Sequence, residues 1–195
     1  TGLYIVLVPL LGIFLKQRIG LNTWLGVVLA VSGLYFLSVN EDFTIAFGDL
    51  LEIIGAFFWA IHILVIDHFT KKVDALKLSC VQFAMCSVLS IIIALIFEDI
   101  AISGIGQAAI PILYGGLLSV GVAYTLQVVA QKHAKPSHAA IILSMESVFA
   151  ALGGALLLGE NLGGRGYLGC ALMFAGMLLT QVNIFEKKES AEYKA

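Results

Sequence analysis

Apolar residues run along this chain in long blocks separated by short polar connections. Seven blocks stand out, at residues 1–15, 21–39, 47–69, 75–97, 108–130, 137–158 and 166–184. About 20 apolar residues carry a helix across the hydrocarbon core of a bilayer, and only the first block falls well short. Backbone N–H and C=O groups in hydrocarbon need partners within their own segment, which favours helices. The pattern therefore predicts an all-α membrane protein, a polytopic helical bundle with about seven transmembrane helices in this chain. Proline fits the same reading. Pro136 stands in a connection and Pro111 near the start of a block, where a missing N–H does little harm.

Charge falls in the connections and alternates in sign. Lys16 and Arg18 follow the first block, Glu41 and Asp42 the second, and Lys71, Lys72 and Lys77 surround the third connection. Glu98 and Asp99 follow the fourth block, and Lys132, His133 and Lys135 the fifth; Glu160 and Arg165 balance in the sixth connection. Lys187, Lys188 and Lys194 decorate the tail. Lysine and arginine mark cytoplasmic loops. The expected orientation is a cytoplasmic C-terminus in a plasma or inner membrane, with the first block starting on the opposite side. A missed or invented helix would scramble the alternation.

The chain also repeats itself. Sliding its opening against its close by about 143 positions sets Leu15 on Leu158, Gly20 on Gly163, and Leu25 and Gly26 on Leu168 and Gly169. Leu29 then meets Leu172, Gly33 meets Gly176, and Val39 and Asn40 meet Val182 and Asn183. Shared leucines would fit chance matching of apolar segments, whereas registered glycines argue against it. Small residues let membrane helices approach closely, so Gly26, Gly33, Gly169 and Gly176 are candidate helix-packing positions. Corresponding blocks lie an odd number of crossings apart, so the copies run in opposite directions through the membrane. Inverted repeats of this kind underlie many secondary transporters. The expected organisation is residues 1–40 as the last two helices of a first repeat, 41–46 as a linker, 47–184 as a second five-helix repeat, and 185–195 as a polar cytoplasmic tail. The chain opens at Thr1 inside an apolar run, which predicts a longer protein of about ten helices with three preceding this one.

Composition agrees with this picture and narrows the function. Hydrophobic residues make up 60% and charged residues 12%, against about 45–50% and about 25% in soluble domains; mean hydropathy is +1.00. The net charge of −2, without a basic patch interleaved with aromatics, speaks against nucleic acid as a partner. Cys80, Cys86 and Cys170 sit in apolar blocks without a C-x-x-C pair, so they read as buried structural thiols rather than a metal or redox site.

Several stretches resemble a known family. The run S-M-E-S-V-F-A-A-L-G-G-A-L-L-L-G-E at 144–160, with Y-L-G at 167–169 and Ala175-Gly176, looks like the closing motif of EamA-type transporters of the drug/metabolite transporter superfamily. G-D-L-L at 48–51 through F-W-A at 58–60 is similar to the start of that family's second repeat. Y-I-V-L-V-P at 4–9 and W-L-G at 24–26 resemble the matching part of the first. The resemblance implies a ten-helix inverted-repeat transporter that moves metabolites, amino acids or drugs, often outward. Two departures stand out. Ser147 occupies a position where the family often has proline, and Lys16-Gln17 in the first copy faces Gly159-Glu160 in the last.

Ionisable and polar side chains inside the blocks are the candidates for chemistry, because each costs at least about 2.5 kcal/mol in hydrocarbon unless it faces a cavity or a partner. Glu146 lies in mid-block. Carboxyls in low-dielectric surroundings can exchange protons near neutral pH, so one reading is proton coupling or binding of a substrate amine. The other is a carboxyl hydrogen-bonded to a neighbouring helix as glue, and both stay open. His62 and Trp59 share a helical stripe with Glu52, Gly55 and Ile66, which suits a cavity wall; a single interhelical hydrogen bond is the alternative for His62. Gln82, Tyr124 and Gln127 complete the substrate- or proton-binding candidates. Tyr124, Gln127 and Gln131 follow one helical face, Gln131 being placed towards the interface. Each of these polar groups equally suits pinning helices together. Asp67 and His68 are expected in water at the cytoplasmic end. Gly163-Gly-Arg165-Gly166 reads as a tight turn, since a phosphate loop would need a preceding strand and a Walker lysine. His133 and His138 lack metal-ligand spacing.

The function expected is a secondary transporter, an exporter by preference, working by alternating access with proton coupling as an option. The expected partners are a small-molecule substrate and the lipid bilayer, with a second copy of the chain as a further candidate. No cofactor, metal or catalytic residue is expected. A non-transporting membrane subunit or a truncated relic is the main alternative. An intramembrane enzyme would need a convergent constellation, and the polar groups here are dispersed.

Overall fold

A computed structural model describes residues 2–17, 19–38, 47–98 and 102–181 of the chain. The expected linker at 41–46, the tail at 185–195 and the end of the repeat match, at Val39-Asn40 and Val182-Asn183, lie outside the described residues. Within them the chain is helical throughout, without strands. The elements are α1 (Tyr4–Phe14), α2 (Leu21–Ser38), α3 (Phe47–Thr70), α4 (Ala75–Phe97), α5 (Ile102–Gln107) and α6 (Ala109–Leu113). There follow a π-helical segment (Tyr114–Tyr124), α7 (Thr125–Gln131), α8 (Pro136–Leu143), α9 (Met145–Leu157) and α10 (Gly163–Gln181).

Four helical stretches are long and apolar enough to cross a membrane: Leu50–Thr70, Ala75–Phe97, Ala109–Gln131 and Pro136–Leu157, while Tyr4–Phe14 and Leu21–Leu37 are shorter apolar helices. At about 1.5 Å per residue, the 23 residues of Ala75–Phe97 span the roughly 30 Å of hydrocarbon. The chain is an all-α polytopic membrane protein. Two stretches expected as single uninterrupted helices are not uniform. The fifth runs from α6 through eleven π-helical residues into α7, and the sixth is interrupted between α8 and α9 at Ser144. The short helix α5 precedes the fifth.

Helix ends follow local chemistry. The Asp74 carboxylate accepts from the backbone N–H groups of Leu76 and Lys77 at 3.0 and 3.1 Å and so caps α4. Pro136 occupies the first turn of α8, where its fixed φ suits a helix start. After α1, the Gln17 N–H donates to the Gly12 carbonyl and the Lys16 N–H to that of Ile13, both at 2.9 Å. This is a Schellman closure, and it puts Lys16 at φ 58°. In the repeat Lys16 corresponds to Gly159, whose φ is 68°. The left-handed backbone residue is thus kept although the glycine is absent from the first copy. A left-handed non-glycine residue costs roughly 1–2 kcal/mol, and glycine gives back roughly 0.5–1 kcal/mol through its freer unfolded chain. Lys16→Gly is expected to stabilise the protein by about 0.5–1 kcal/mol, read as a rise of a few degrees in thermal unfolding; a fall would show that the lysine side chain itself holds the turn.

The chain divides by packing into two compact units, Thr1–Val65 with Lys135–Ala195, and Ile66–Ala134. In the first, Ile5, Val8, Ala30, Ala60, Ile63, Ala140 and Ile141 form a core drawn from α1, α2, α3 and α8. A second cluster there joins Met145 and Val148 of α9 to Cys170 and Met173 of α10. In the second unit Ile66, Ala75 and Val128 pack together, and α4 lies along α7. Among the described residues of α4 only Ala75 and Ser79 are buried. The reading of all three cysteines as buried is corrected accordingly: Cys170 is buried, but Cys80 and Cys86 are exposed, Cys80 on the face of α4 turned away from buried Ser79 and Cys86 beyond the covered turns.

Candidate functional site

The tightest feature of the first unit is the crossing of α2 and α10. A Cβ added at Gly33 would stand 2.5 Å from the Gly169 carbonyl oxygen, and one at Gly169 2.7 Å from the Gly33 oxygen. One at Gly26 would stand 2.8 Å from the Gly176 oxygen, and one at Gly176 2.7 Å from the Gly26 oxygen. Backbone therefore touches backbone at two points, and only glycine fits either. Gly26 pairs with Gly176 and Gly33 with Gly169, so the helices run antiparallel. The sequence repeat carries Gly26 onto Gly169 and Gly33 onto Gly176, which exchanges one contact for the other. That exchange is what a pseudo-two-fold axis through the crossing produces. Arg165, at the start of α10, lies 5.6 and 5.9 Å from the ring centres of Tyr35 and Phe36 at the far end of α2, a cation–π contact with both.

Glu146 lies in the first turn of α9, just past the interruption. The Ser144 hydroxyl donates to the Ile141 carbonyl at 2.7 Å, and the Ser147 N–H reaches back only three residues, to the Ser144 carbonyl at 3.1 Å. Serine bonding back onto the preceding turn bends helices. α9 starts at Met145 directly after α8, with Ser144 between them in helical backbone. Met145 and Val148 face the core while Glu146 and Phe149 are exposed on the other side.

On α3 the buried face runs through Ala56, Ala60, Ile63 and Asp67. The stripe of Glu52, Gly55, Trp59, His62 and Ile66 lies one position round from it. Burial therefore grows along the stripe: Glu52 and Gly55 are exposed, Trp59 and His62 half-buried, and Ile66 buried. Trp59 and His62 are brought together, with ring centres 5.2 Å apart at 45°.

Gln82, Tyr124 and Gln127 belong to the second unit. Gln82 is half-buried on α4. Burial changes along the stripe of Tyr124, Gln127 and Gln131. Gln127 and Gln131 are buried and bonded to each other at 3.4 Å, whereas Tyr124 is 37% exposed. The π-helical segment ends at Tyr124, and α7 begins at Thr125. Gln131, expected towards the interface, is buried at the end of α7. Asp67, expected in water, is 5% exposed and accepts from the Lys71 ammonium at 2.8 Å; one turn of helix brings the lysine over it. His68 is exposed as expected and lies 2.8 Å from Lys72.

Sequence reasoning missed one polar contact of the first unit. The Thr23 hydroxyl lies 3.2 Å from His138 Nε2, joining the start of α2 to the start of α8. The two are 115 positions apart, and no local pattern points from one to the other. The Gly163–Gly166 stretch is a helix start, as expected of a turn: the Gly163 N–H donates to Asn161 Oδ1 at 3.0 Å and Gly163 has φ 58°.

Comparison with known proteins places this architecture. Residues 46–182 match the EamA-like transporter family. The chain belongs to that family. An "Uncharacterized transporter" of Archaeoglobus fulgidus is 30% identical over 94% of this chain and 59% of its own length. The "Uncharacterized transporter YoaV" of Bacillus subtilis is 24% identical over 89% of the chain and 61% of its own length. The chain thus spans about three-fifths of the curated relatives it matches. No solved structure matches it. The EamA-like match takes in α3 to α10, and with them Trp59, His62, Gln82, Tyr124, Gln127 and Glu146. Gly26 and Gly33 lie before it, yet α2 is joined to the matched stretch through Gly176 and Gly169.

Proposed function

We propose that the whole protein of which this chain forms part is a secondary transporter of small metabolites, amino acids or drugs, working outward by alternating access and coupled to protons through Glu146. The observation that carries this reading is the α2–α10 crossing. Two symmetric glycine contacts, exchanged by the repeat, are a pivot about which two inverted halves can rock, and inverted repeats place substrate sites near the midplane. Membership of the EamA-like transporter family and relatives named as transporters support it. On this reading seven helices of a ten-helix protein cross the membrane here, residues 1–40 closing a first repeat and 47–184 making a second, with the C-terminus in the cytoplasm.

Glu146, His62 and Trp59 form the cavity side of the first unit in this proposal. The exposed side of α9 at Glu146 would be unfavourable against lipid, so water, substrate or further helices cover it. Gln82, Tyr124 and Gln127 are the polar candidates within the second unit. The test is flux through the full-length protein in proteoliposomes, across a panel of amino acids, nucleosides and organic cations, with and without an imposed pH gradient. The expected result is saturable flux of one class that rises with the gradient. Absence of flux across the whole panel would favour the non-transporting subunit.

A further inference from the structure

The second unit carries a cavity that the transport reading does not use. It has a volume of about 530 Å³ and is lined by Thr70, Lys71, Lys72, Asp74, Lys132 and His133 among others. Two connections build it, the turn between α3 and α4 and the turn after α7. Both are interhelical turns of a membrane bundle, so the cavity opens where hydrocarbon gives way to headgroups and water.

Its chemistry is one-sided. Three lysines and a histidine stand against one carboxylate. That carboxylate, on Asp74, is already engaged by the N–H groups of Leu76 and Lys77. Lys71 is paired with the buried Asp67, and the Thr70 hydroxyl donates to the Ile66 carbonyl at 2.8 Å. Lys72 donates at most one of its three N–H groups to His68. Lys132 and His133, from the turn after α7, are exposed and line the same cavity. The charge available to a ligand therefore comes from Lys72 and Lys132, one from each turn. Lysines near helix C-termini also offset the helix dipole, and α3 and α7 both end here. That role alone would not need lysines from two turns facing one cavity.

We infer that this cavity binds a phosphate group, held between Lys72 and Lys132 with His133 as a further donor. Phosphate oxygens take charge-assisted hydrogen bonds from ammonium groups, and basic pockets between membrane helices hold lipid headgroups. The volume lies within the ordinary range of ligand sites, about 300–1,000 Å³, and accommodates a phosphate with part of the group it esterifies. The phosphate can belong to an anionic phospholipid of the adjoining leaflet or to a soluble phosphorylated solute. The site is independent of which substrate the transporter moves.

The experiment measures thermal unfolding of the full-length protein in nanodiscs. One arm replaces part of a phosphatidylcholine bilayer with phosphatidic acid; the other keeps pure phosphatidylcholine and adds millimolar inorganic phosphate, against chloride at equal ionic strength. Binding to the folded state at saturating ligand is expected to raise the midpoint by about 4 °C in at least one arm. A gain with phosphatidic acid alone identifies the headgroup as the source, and a gain with inorganic phosphate identifies the soluble one. The gain should vanish in the double variant Lys72→Gln/Lys132→Gln, persist in Lys72→Arg/Lys132→Arg, and persist in Lys77→Gln, which removes a neighbouring charge outside the cavity. No gain in either arm, an equal gain with chloride, or a gain that survives the double glutamine variant would overturn the site.

Discussion

Glu146→Gln is expected to lower proton-driven flux at least about 30-fold while leaving the protein inserted and folded. The carboxamide matches the carboxyl in shape and can still hydrogen-bond, but it cannot take up and release a proton. A roughly 30-fold loss corresponds to about 2 kcal/mol at about 1.4 kcal/mol per decade, a lower bound for a step that needs this proton. Glu146 is exposed on α9 beside an interrupted turn, so the exchange disturbs no packed neighbour. The two readings of this residue then part. If the carboxyl only glues helices, the carboxamide replaces it with little change in flux; if it carries the coupling proton, the carboxamide does not. The measurement is initial flux in proteoliposomes under an imposed pH gradient, with the thermal midpoint as the control for folding. Flux equal to the unsubstituted protein removes Glu146 from the mechanism.

The second large effect is expected at the helix crossing. In Gly33→Val the first added carbon alone would sit 2.5 Å from the Gly169 oxygen and 2.8 Å from the Met173 nitrogen. Both are backbone atoms of α10, so no rotamer change relieves the clash and the helices must separate. Overpacking costs typically about 1–3 kcal/mol, and here the separation also opens the second glycine contact at Gly26 and Gly176. Gly33→Val is expected to lower the thermal midpoint by more than about 5 °C or to prevent recovery of folded protein, and Gly176→Val to do the same. Gly55→Ala serves as the contrast. Nothing lies within 4 Å of a Cβ there, and alanine is favoured over glycine in a helix by about 0.8–1.0 kcal/mol, so the midpoint should hold or rise. A Gly33→Val protein as stable as the parent would show that α2 and α10 part freely.

Different features of this protein were legible to different depths. The glycine register at 26, 33, 169 and 176 could be seen by sliding the chain against itself, because a repeat is written in order along the sequence. Which glycine touches which could not. Register relates Gly26 to Gly169, whereas contact relates Gly26 to Gly176, and only an antiparallel crossing turns one relation into the other. The stripe through Trp59 and His62 was visible as a period, but its place beside the buried face of α3, rather than on it, depends on which neighbours cover that helix. The eleven π-helical residues that precede Gln127 and Gln131 were not legible, because hydropathy does not register a change in helical hydrogen bonding.

Membrane residence, helical class and the internal sequence repeat all follow from the order of residues. Each rests on a property that neighbouring residues share along the chain, apolarity above all. The contact of Thr23 with His138, the burial of Asp67 under Lys71, the bend at Ser144 and the backbone-to-backbone crossing of α2 and α10 were settled by the folded chain. They depend on pairs of groups whose separation in space has little to do with their separation in sequence, or on a helical geometry that no single residue type dictates.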